Sequence, residues 1–267
     1  MINDRNKLNM NASTIPQGII NALQVAKHVV IFTGAGVSAE SGIPIFRDSL
    51  TGLWERFEAE DLATPSAFRK DKELVWGWYE WRRMKVLKAL PNAAHLAISM
   101  LANFVPKVTV ITQNVDDLHE RAGSANVIHL HGSLHHPRCS ICGQAHDFAS
   151  EIPEEPEGGR RITPPICGKC GGYVRPGVVW FGEELPTREL HQAYAAARKC
   201  NLLLSVGTSG VVYPAAQIPG MAKQAGARVG RINPTTSSRD ASVDWDLTGP
   251  AGTLLPLLLK DRLSHRY

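Results

Sequence analysis

Val29-Val30-Ile31-Phe32-Thr33-Gly34-Ala35-Gly36 is the stretch on which the reading of the fold turns. Four consecutive apolar residues suit a strand buried on both faces, and the glycines directly after them suit a tight turn into a helix. Upstream, Ile19, Ile20, Leu23 and Ala26 recur at helical spacing. The local order is helix, buried strand, glycine turn.

The same rhythm continues along the chain. Residues 108–112, 127–130, 202–206 and 228–232 read as strands, and 74–87, 93–104, 188–198, 215–224 and 252–263 as helices. Short β-rich runs alternating with helices predict an α/β fold, a Rossmann-like doubly wound parallel sheet covered on both faces. No internal repeat is visible.

At about 150 residues per domain, 267 residues correspond to about 1.8 domains, one large unit with a small satellite. An apolar fraction of 43% with 20% charged residues excludes a wholly disordered or collagen-like chain. Apolar runs are short, and Pro256 interrupts the one at 254–259, so no stretch reaches the ~18 residues of a membrane span. The opening MINDRNKLNMNASTI is polar and lacks an apolar signal core, so residues 1–16 read as a loose leader and the cytoplasm as the expected compartment. The charge balance, 29 − 25 = +4, is mild and contains no like-charge run, which argues against a nucleic-acid surface.

Between His135 and Pro176 the alternation stops. That stretch holds four of the five cysteines, six of the 17 prolines and the acidic patch from Glu151 to Glu157. It reads as a small domain, 135–175, inserted into a large one made of 17–134 and 176–267, to which 43–92 can add helices. Cys139-Ser-Ile-Cys142 and Cys167-Gly-Lys-Cys170 are two CxxC knuckles 24 residues apart, the pattern of one tetrahedral four-thiolate zinc site. A redox role for either pair fits poorly, because neither opens a helix after a strand. Four protein ligands leave no position for water, so the expected zinc is structural. Cys200, beside the strand at Leu202, reads as a small buried hydrophobe.

The segment from Gly34 to Gly42 follows a strand and carries glycines that would let backbone approach a pyrophosphate. Its third glycine comes later than in GxGxxG, so alone it leaves a hydride-transfer dehydrogenase and a plain strand-turn-helix equally open. The following Gly42-Ile-Pro-Ile-Phe46-Arg47-Asp48 has the composition of a loop that covers a ligand.

The ordered set GAGVSAESGIPIFRD (34–48), TQNVDDLHERAG (112–123), HLHGSL (129–134), the two CxxC pairs, GVVWFGE (177–183), GTSGVVYPAA (207–216) and RIN (231–233) resembles the sirtuins, NAD-dependent protein-lysine deacylases. The likeness runs from about Val29 to the C-terminal helix. It implies an NAD-binding Rossmann domain, a zinc-ribbon domain, and a reaction that consumes NAD to give free lysine, nicotinamide and O-acyl-ADP-ribose.

Carried over by motif, the resemblance makes His131 the general base, with His129, His135 and His136 as nearby rivals. An imidazole suits that role, being mostly neutral at physiological pH. Gln113, Asn114 and Asp116 match QNxD, of which Asn114 and Asp116 would hold the nicotinamide side. Phe46 and Arg47 would cover the reacting sugar; Gly34, Ala35, Gly36 and Ser38 would line the phosphates; Gly207, Thr208, Ser209 and Asn233 would take the adenosine half. Val178, Val179, Trp180 and Phe181, with Gly210 to Tyr213, would clamp an acyl-lysine peptide between strand edges. Gly210 after GTS and Ala251, where other sirtuins can carry cysteine near the adenine, depart from some members.

Tyr79-Glu-Trp-Arg82 places a phenol and a guanidinium three apart, on one helix face. It matches the YxxR of the class III sirtuins, which remove succinyl, malonyl and glutaryl groups, and Ala63 is small where that subgroup needs room. A planar guanidinium fork is suited to an acyl carboxylate. The expectation is a monomeric enzyme on acetylated and acidic-acylated proteins, with no membrane or direct nucleic-acid partner. The rival readings are protein ADP-ribosylation from the same NAD pocket and a zinc-ribbon nucleic-acid-binding module.

Overall fold

The strand read first lies in the middle of the sheet. In the computed structural model, which describes residues 15–44, 58–148, 156, 159–235 and 243–263, β1 (His28–Thr33) is buried at every position. Side chains alternate across a strand, so Val29 and Ile31 join one core cluster while Val30 and Phe32 join another. Each fully buried aliphatic side chain of this kind stabilises by about 1.5 to 3 kcal/mol.

β2 (Lys107–Thr112) and β3 (Val127–His129) extend the sheet on one side of β1. On the other side lie β6 (Leu202–Val206), β7 (Arg228–Asn233) and β8 (Trp245–Thr248). All pairings are parallel, in the order β3-β2-β1-β6-β7-β8. The doubly wound sheet expected from the alternation is present. The chain reverses its direction of travel between β1 and β6, the switch point at which open α/β sheets place their ligands.

Helices cover both faces. α1 (Gln17–Val25), α6 (Ala93–Met100) and α10 (Ala251–Leu263) pack on the Val29 face through Ile19, Leu23, Ile98 and Leu258. α8 (Thr187–Lys199) and α9 (Ile218–Gln224) cover the other through Ala193, Ala197, Ile218 and Ala222. The start of α6 carries a capping box: the Asn92 side chain accepts from the backbone of Ala94 and His95. Its Nδ2 also donates to the Val37 carbonyl at 2.8 Å, tying α6 to the short α2 (Gly36–Ala39) behind the glycine turn.

A third cluster sits apart from the sheet. α3 (Ala59–Leu62), α4 (Pro65–Lys70) and α5 (Lys72–Lys88) bury Phe68, Val75 and Trp78 together with Leu134, Val178 and Trp180. Thr64 and Asp71 cap α4 and α5 through Ala67 N and Leu74 N. α5 also meets the segment leading to the second cysteine pair, where Ile162 N–H donates to the Glu73 carbonyl at 3.1 Å and Arg161 pairs with Asp71. Gly77 is required there, since a Cβ would lie 2.0 Å from the Arg160 carbonyl oxygen. β4 (Arg138–Cys139) and β5 (Val174–Arg175) form the small antiparallel sheet of the cysteine-bearing insertion, and α7 (Leu118–Arg121) follows the QNxD motif.

Some boundaries differ from the sequence reading. The helix at 93–104 is α-helical only to Met100 and tightens into a 3₁₀ turn at Leu101–Asn103. The 215–224 stretch opens as a 3₁₀ turn, Ala215–Gln217, before α9. β8 is an additional strand: Trp245 and Leu247 alternate, but four residues are too short a pattern to stand out without the neighbouring β7. Among the described residues no helix is long and apolar enough to cross a membrane. Phe46, Arg47 and the acidic residues Glu151, Glu154, Glu155 and Glu157 lie outside the described residues.

Candidate active site

A cavity of about 700 Å³ opens beyond the carboxyl ends of β1 and β6, within the size range of cofactor sites. Gly34, Ala35, Gly36 and Ser38 line one side, and Gly207, Thr208 and Ser209 the facing side, with Asn233 beside them. The two loops touch. Gly36 N–H donates to the Gly207 carbonyl at 3.0 Å, and a Cβ on Gly36 would lie 2.8 Å from the Gly207 Cα. Gly207 has φ +62°, and a Cβ there would meet Val37 N at 2.4 Å. These two glycines are therefore demanded by close approach of the β1 and β6 turns. Asn233 Nδ2 holds the second turn by donating to the Thr208 carbonyl at 3.0 Å.

The histidines of the HLH motif separate by their partners. His131 Nδ1 lies 3.0 Å from the Gln113 carbonyl oxygen. A carbonyl can only accept, so Nδ1 carries the hydrogen and Nε2 keeps its lone pair. Among the described residues Nε2 has no hydrogen-bond partner, and His131 lines the cavity. Burial lowers its pKa against the opposing Gln113 hydrogen bond, which keeps the ring neutral.

His129 is in the opposite state. Burial alone would lower its pKa, but Nε2 sits 2.7 Å from Glu120 Oε1 and Nδ1 3.2 Å from the Asn114 carbonyl, and the net shift is upward. Both nitrogens face acceptors, so neither is free to take a proton. His135 faces Asp117 at 3.5 Å, and neither it nor His136 lines the cavity. Of the four histidines, only His131 offers a free base to the site.

Below the cavity lies a buried polar network. Ser38 Oγ donates to Asp116 Oδ2 and accepts from Asn114 Nδ2, both at 3.0 Å, while Asp116 Oδ1 accepts from Leu118 N–H at 3.1 Å. Burial raises the pKa of Asp116, against these bonds. Among the described residues, Asn114 Oδ1 is buried without a hydrogen-bond partner. A buried acceptor left without a hydrogen bond is costly. Beneath, His119 Nε2 contacts Thr33 Oγ1 at 3.0 Å, and His95 and His119 lie ring to ring at 4.9 Å. Burial brings His95 down to about 4 and His119 to about 3.

The same cavity is also lined by Ala63, Tyr79 and Arg82. Tyr79 is buried, and its hydroxyl oxygen accepts from Trp180 Nε1 at 3.0 Å. Burial pushes its pKa up, keeping the phenol protonated. The Arg82 guanidinium lies 5.1 Å from the Trp78 ring centroid. Val178, Val179, Trp180 and Phe181 also line the cavity. Their backbone is partly engaged: Val179 N–H donates to the His131 carbonyl and Phe181 N–H to the Ala63 carbonyl, both at 2.9 Å.

The four cysteines converge. The Sγ atoms of Cys139, Cys142, Cys167 and Cys170 all lie within 4.8 Å of one another, with Cys139–Cys170 at 3.4 Å and Cys142–Cys167 at 3.8 Å. A tetrahedral zinc with bonds of about 2.3 Å requires sulfur separations of about 3.8 Å. The donor set therefore fits a closed, structural zinc. Backbone N–H groups of Cys142 and Ile141 lower the pKa of the Cys139 thiol, which favours the thiolate a metal needs.

The model of the Sir2 family matches residues 34–214. This chain belongs to the Sir2 family. It is 56% identical to an NAD-dependent protein deacylase of Methylococcus capsulatus over 242 residues, covering 91% of this chain and 95% of that protein. It is 58% identical to NAD-dependent protein deacylase 1 of Pseudomonas aeruginosa, over 91% and 98% of the two chains. The crystal structure of a Sir2 homologue in complex with NAD matches with a TM-score of 0.84 at 44% identity, covering 94% of this chain and 95% of that one.

The sirtuin resemblance carried by the ordered motifs is thus correct. The cavity suits NAD in its chemistry: close-packed glycine turns at the switch point let backbone approach a pyrophosphate. Ala251 is not among the residues lining the cavity; it opens α10 with its side chain in the core. Among the wall residues of this Sir2 cavity that sequence reasoning passed over are two cations, Arg231 and Lys85. Arg231 lies within the quoted RIN and is held by Asp246 at 3.1 Å. Lys85 follows Arg82 at i+3, a spacing that could have found it.

Proposed function

We propose that this Sir2-family enzyme, an NAD-dependent protein deacylase, removes acidic acyl groups such as succinyl and malonyl from lysine as well as acetyl. The observation that carries this reading is that Tyr79 and Arg82 line the same cavity as His131. An acyl-lysine reaching His131 directs its far end toward a phenol O–H and a guanidinium. Ala63, buried and small, leaves space there. An acyl carboxylate can accept from both donors, whereas an acetyl methyl leaves them unused.

When bound, NAD supplies a ribose carbon that loses nicotinamide and a neighbouring hydroxyl that receives the acyl group. The chain's own residues prepare that exchange. Asn114 and Asp116 hold the carboxamide end, with Ser38 locking both in place. His131, oriented by the Gln113 carbonyl, takes a proton at Nε2 from a hydroxyl placed against it. Gly34 and Gly36 admit the phosphates, and Gly207 and Asn233 brace the adenosine side.

The protein substrate enters along an apolar rim. Phe181, Val211 and Tyr213 are exposed beside the cavity, and Val178 to Phe181 with Gly210 to Tyr213 flank the peptide backbone, so flanking sequence matters little. The enzyme works as a monomer, with 135–175 as its zinc-bearing small domain. The test is a panel of acetyl-, malonyl- and succinyl-lysine peptides incubated with NAD. Mass spectrometry is expected to show free lysine and acylated ADP-ribose for all three; an ADP-ribosylated peptide would point to the transferase reading instead.

A further inference from the structure

Tyr79 can read a carboxylate only if its hydroxyl hydrogen points toward the ligand. A phenol has one hydrogen to donate and can also accept, whereas an indole nitrogen only donates. The 3.0 Å contact from Trp180 Nε1 therefore makes Tyr79 Oη an acceptor on that side and leaves its hydrogen for another partner. Tyr79 is buried, so bulk water does not compete to orient that group.

Trp180 is itself held on three sides. Its backbone N–H donates to Glu183 Oε2 at 2.9 Å, and the Arg175 guanidinium stacks 3.5 Å from its ring centroid. Phe68 packs against the ring at 5.4 Å. Arg175 grips Glu183 through both carboxylate oxygens, at 2.5 and 2.9 Å, and also donates to the Val178 carbonyl. Arg175 belongs to β5, where the preceding Val174 pairs with Cys139, the first of the four thiolate ligands. A continuous set of contacts runs from the base of the zinc ribbon to the phenol oxygen.

We propose that Trp180 is a positioning residue for acyl-chain selectivity: its indole N–H fixes Tyr79 as a donor toward the acyl carboxylate, and the Arg175–Glu183 pair holds the indole in place. The inference rests on the acidic-acyl reading given above and adds to it a residue acting through Tyr79. It gives Trp180 a side-chain role beyond lending backbone to the substrate peptide.

The test compares kcat/KM for succinyl- and acetyl-lysine versions of one peptide in W180F, Y79F, R82M and the double variant W180F/Y79F. W180F keeps the ring and removes the N–H. Its succinyl-to-acetyl ratio should fall by about threefold to tenfold, the span of one neutral hydrogen bond, mainly through the KM of the succinyl peptide. Adding W180F to Y79F should leave the ratio where Y79F alone puts it. An equal loss for both peptides in W180F, or a second full loss in the double variant, overturns the proposal. If Y79F and R82M shift the ratio and W180F does not, the positioning role fails alone. If Y79F and R82M leave it unchanged, the acidic-acyl reading fails and takes this inference with it. Should W180F not fold, the wild-type protein decides: its Trp180 indole N–H resonance should move on adding succinyl-lysine peptide and not acetyl-lysine peptide, and equal shifts would overturn the role.

Discussion

His131 Nδ1 and the Gln113 carbonyl oxygen stand 3.0 Å apart, and that one hydrogen bond decides which ring nitrogen can act as a base. With Nδ1 protonated, Nε2 faces the cavity chemistry unprotonated. His131→Ala should retain NAD binding by calorimetry while deacylation falls by about 10² to 10⁴, the range of general-base catalysis. Because burial lowers its pKa, the acid limb of the kcat/KM profile should lie below the ~6.5 of an ordinary histidine. A limb at or above that value would remove His131 from the role.

Arg82→Met tests the substrate class. Losing a desolvated charge-assisted partner costs about 2 to 5 kcal/mol, so the succinyl-to-acetyl ratio of kcat/KM should fall by more than about tenfold. Deacetylation should persist, since acetyl fills the channel without needing the pair. An unchanged ratio would show that the guanidinium does not meet the acyl chain.

Gly207→Ala tests the contact between the two turns. An L-residue at φ +62° costs about 1 to 2 kcal/mol, and the new Cβ collides with Val37 N. The melting temperature should drop by several degrees and the Kd for NAD should rise, both measurable by thermal shift with and without NAD. Wild-type melting with wild-type affinity would contradict the close approach.

Metal removal should act on stability first. A chelator strong enough to strip zinc, or Cys167→Ser, should lower the melting temperature, because a four-thiolate site contributes folding energy directly. The loss of activity should follow the loss of fold. Unchanged melting after verified metal loss would count against a structural zinc.

Acid should destabilise the folded chain through its buried histidines. His95 and His119 stay neutral in the fold down to about 4 and about 3, whereas the unfolded chain protonates them near ~6.5. Between those values the unfolded state binds more protons, so stability rises with pH through this window and is lost as pH falls. His28 and His131 are shifted the same way, and the raised His129 opposes them. Melting temperature should decline steadily from pH 6.5 to 4.5, and H95N should flatten the slope by about one histidine's share. A slope identical to wild type in H95N would exclude His95 as a contributor.

Much of this site is legible in the amino-acid order alone. Glycines after a buried strand, QNxD, HLHG and two CxxC pairs are local patterns, and each carries its chemistry in residue type and spacing. Choosing His131 over His129 from sequence rests on motif position, because both are histidines on one short stretch. The physical distinction comes from Glu120, which engages His129 and leaves His131 to Gln113. Ala251 shows the opposite case: its assignment rests on analogy to other sirtuins, with no local pattern of its own to carry it.

By itself the sequence determined the parallel α/β class, the zinc ligands and the family, because hydrophobic period, cysteine spacing and motif order are properties of neighbouring residues. Only the tertiary structure brought Trp180 to Tyr79, 101 residues away along the chain, and Gly36 to Gly207 across the switch point. Directions of donors, the free nitrogen of a ring and the orphaned oxygen of Asn114 depend on what lies opposite each group. Those partners are set by packing between distant segments, which no local pattern encodes.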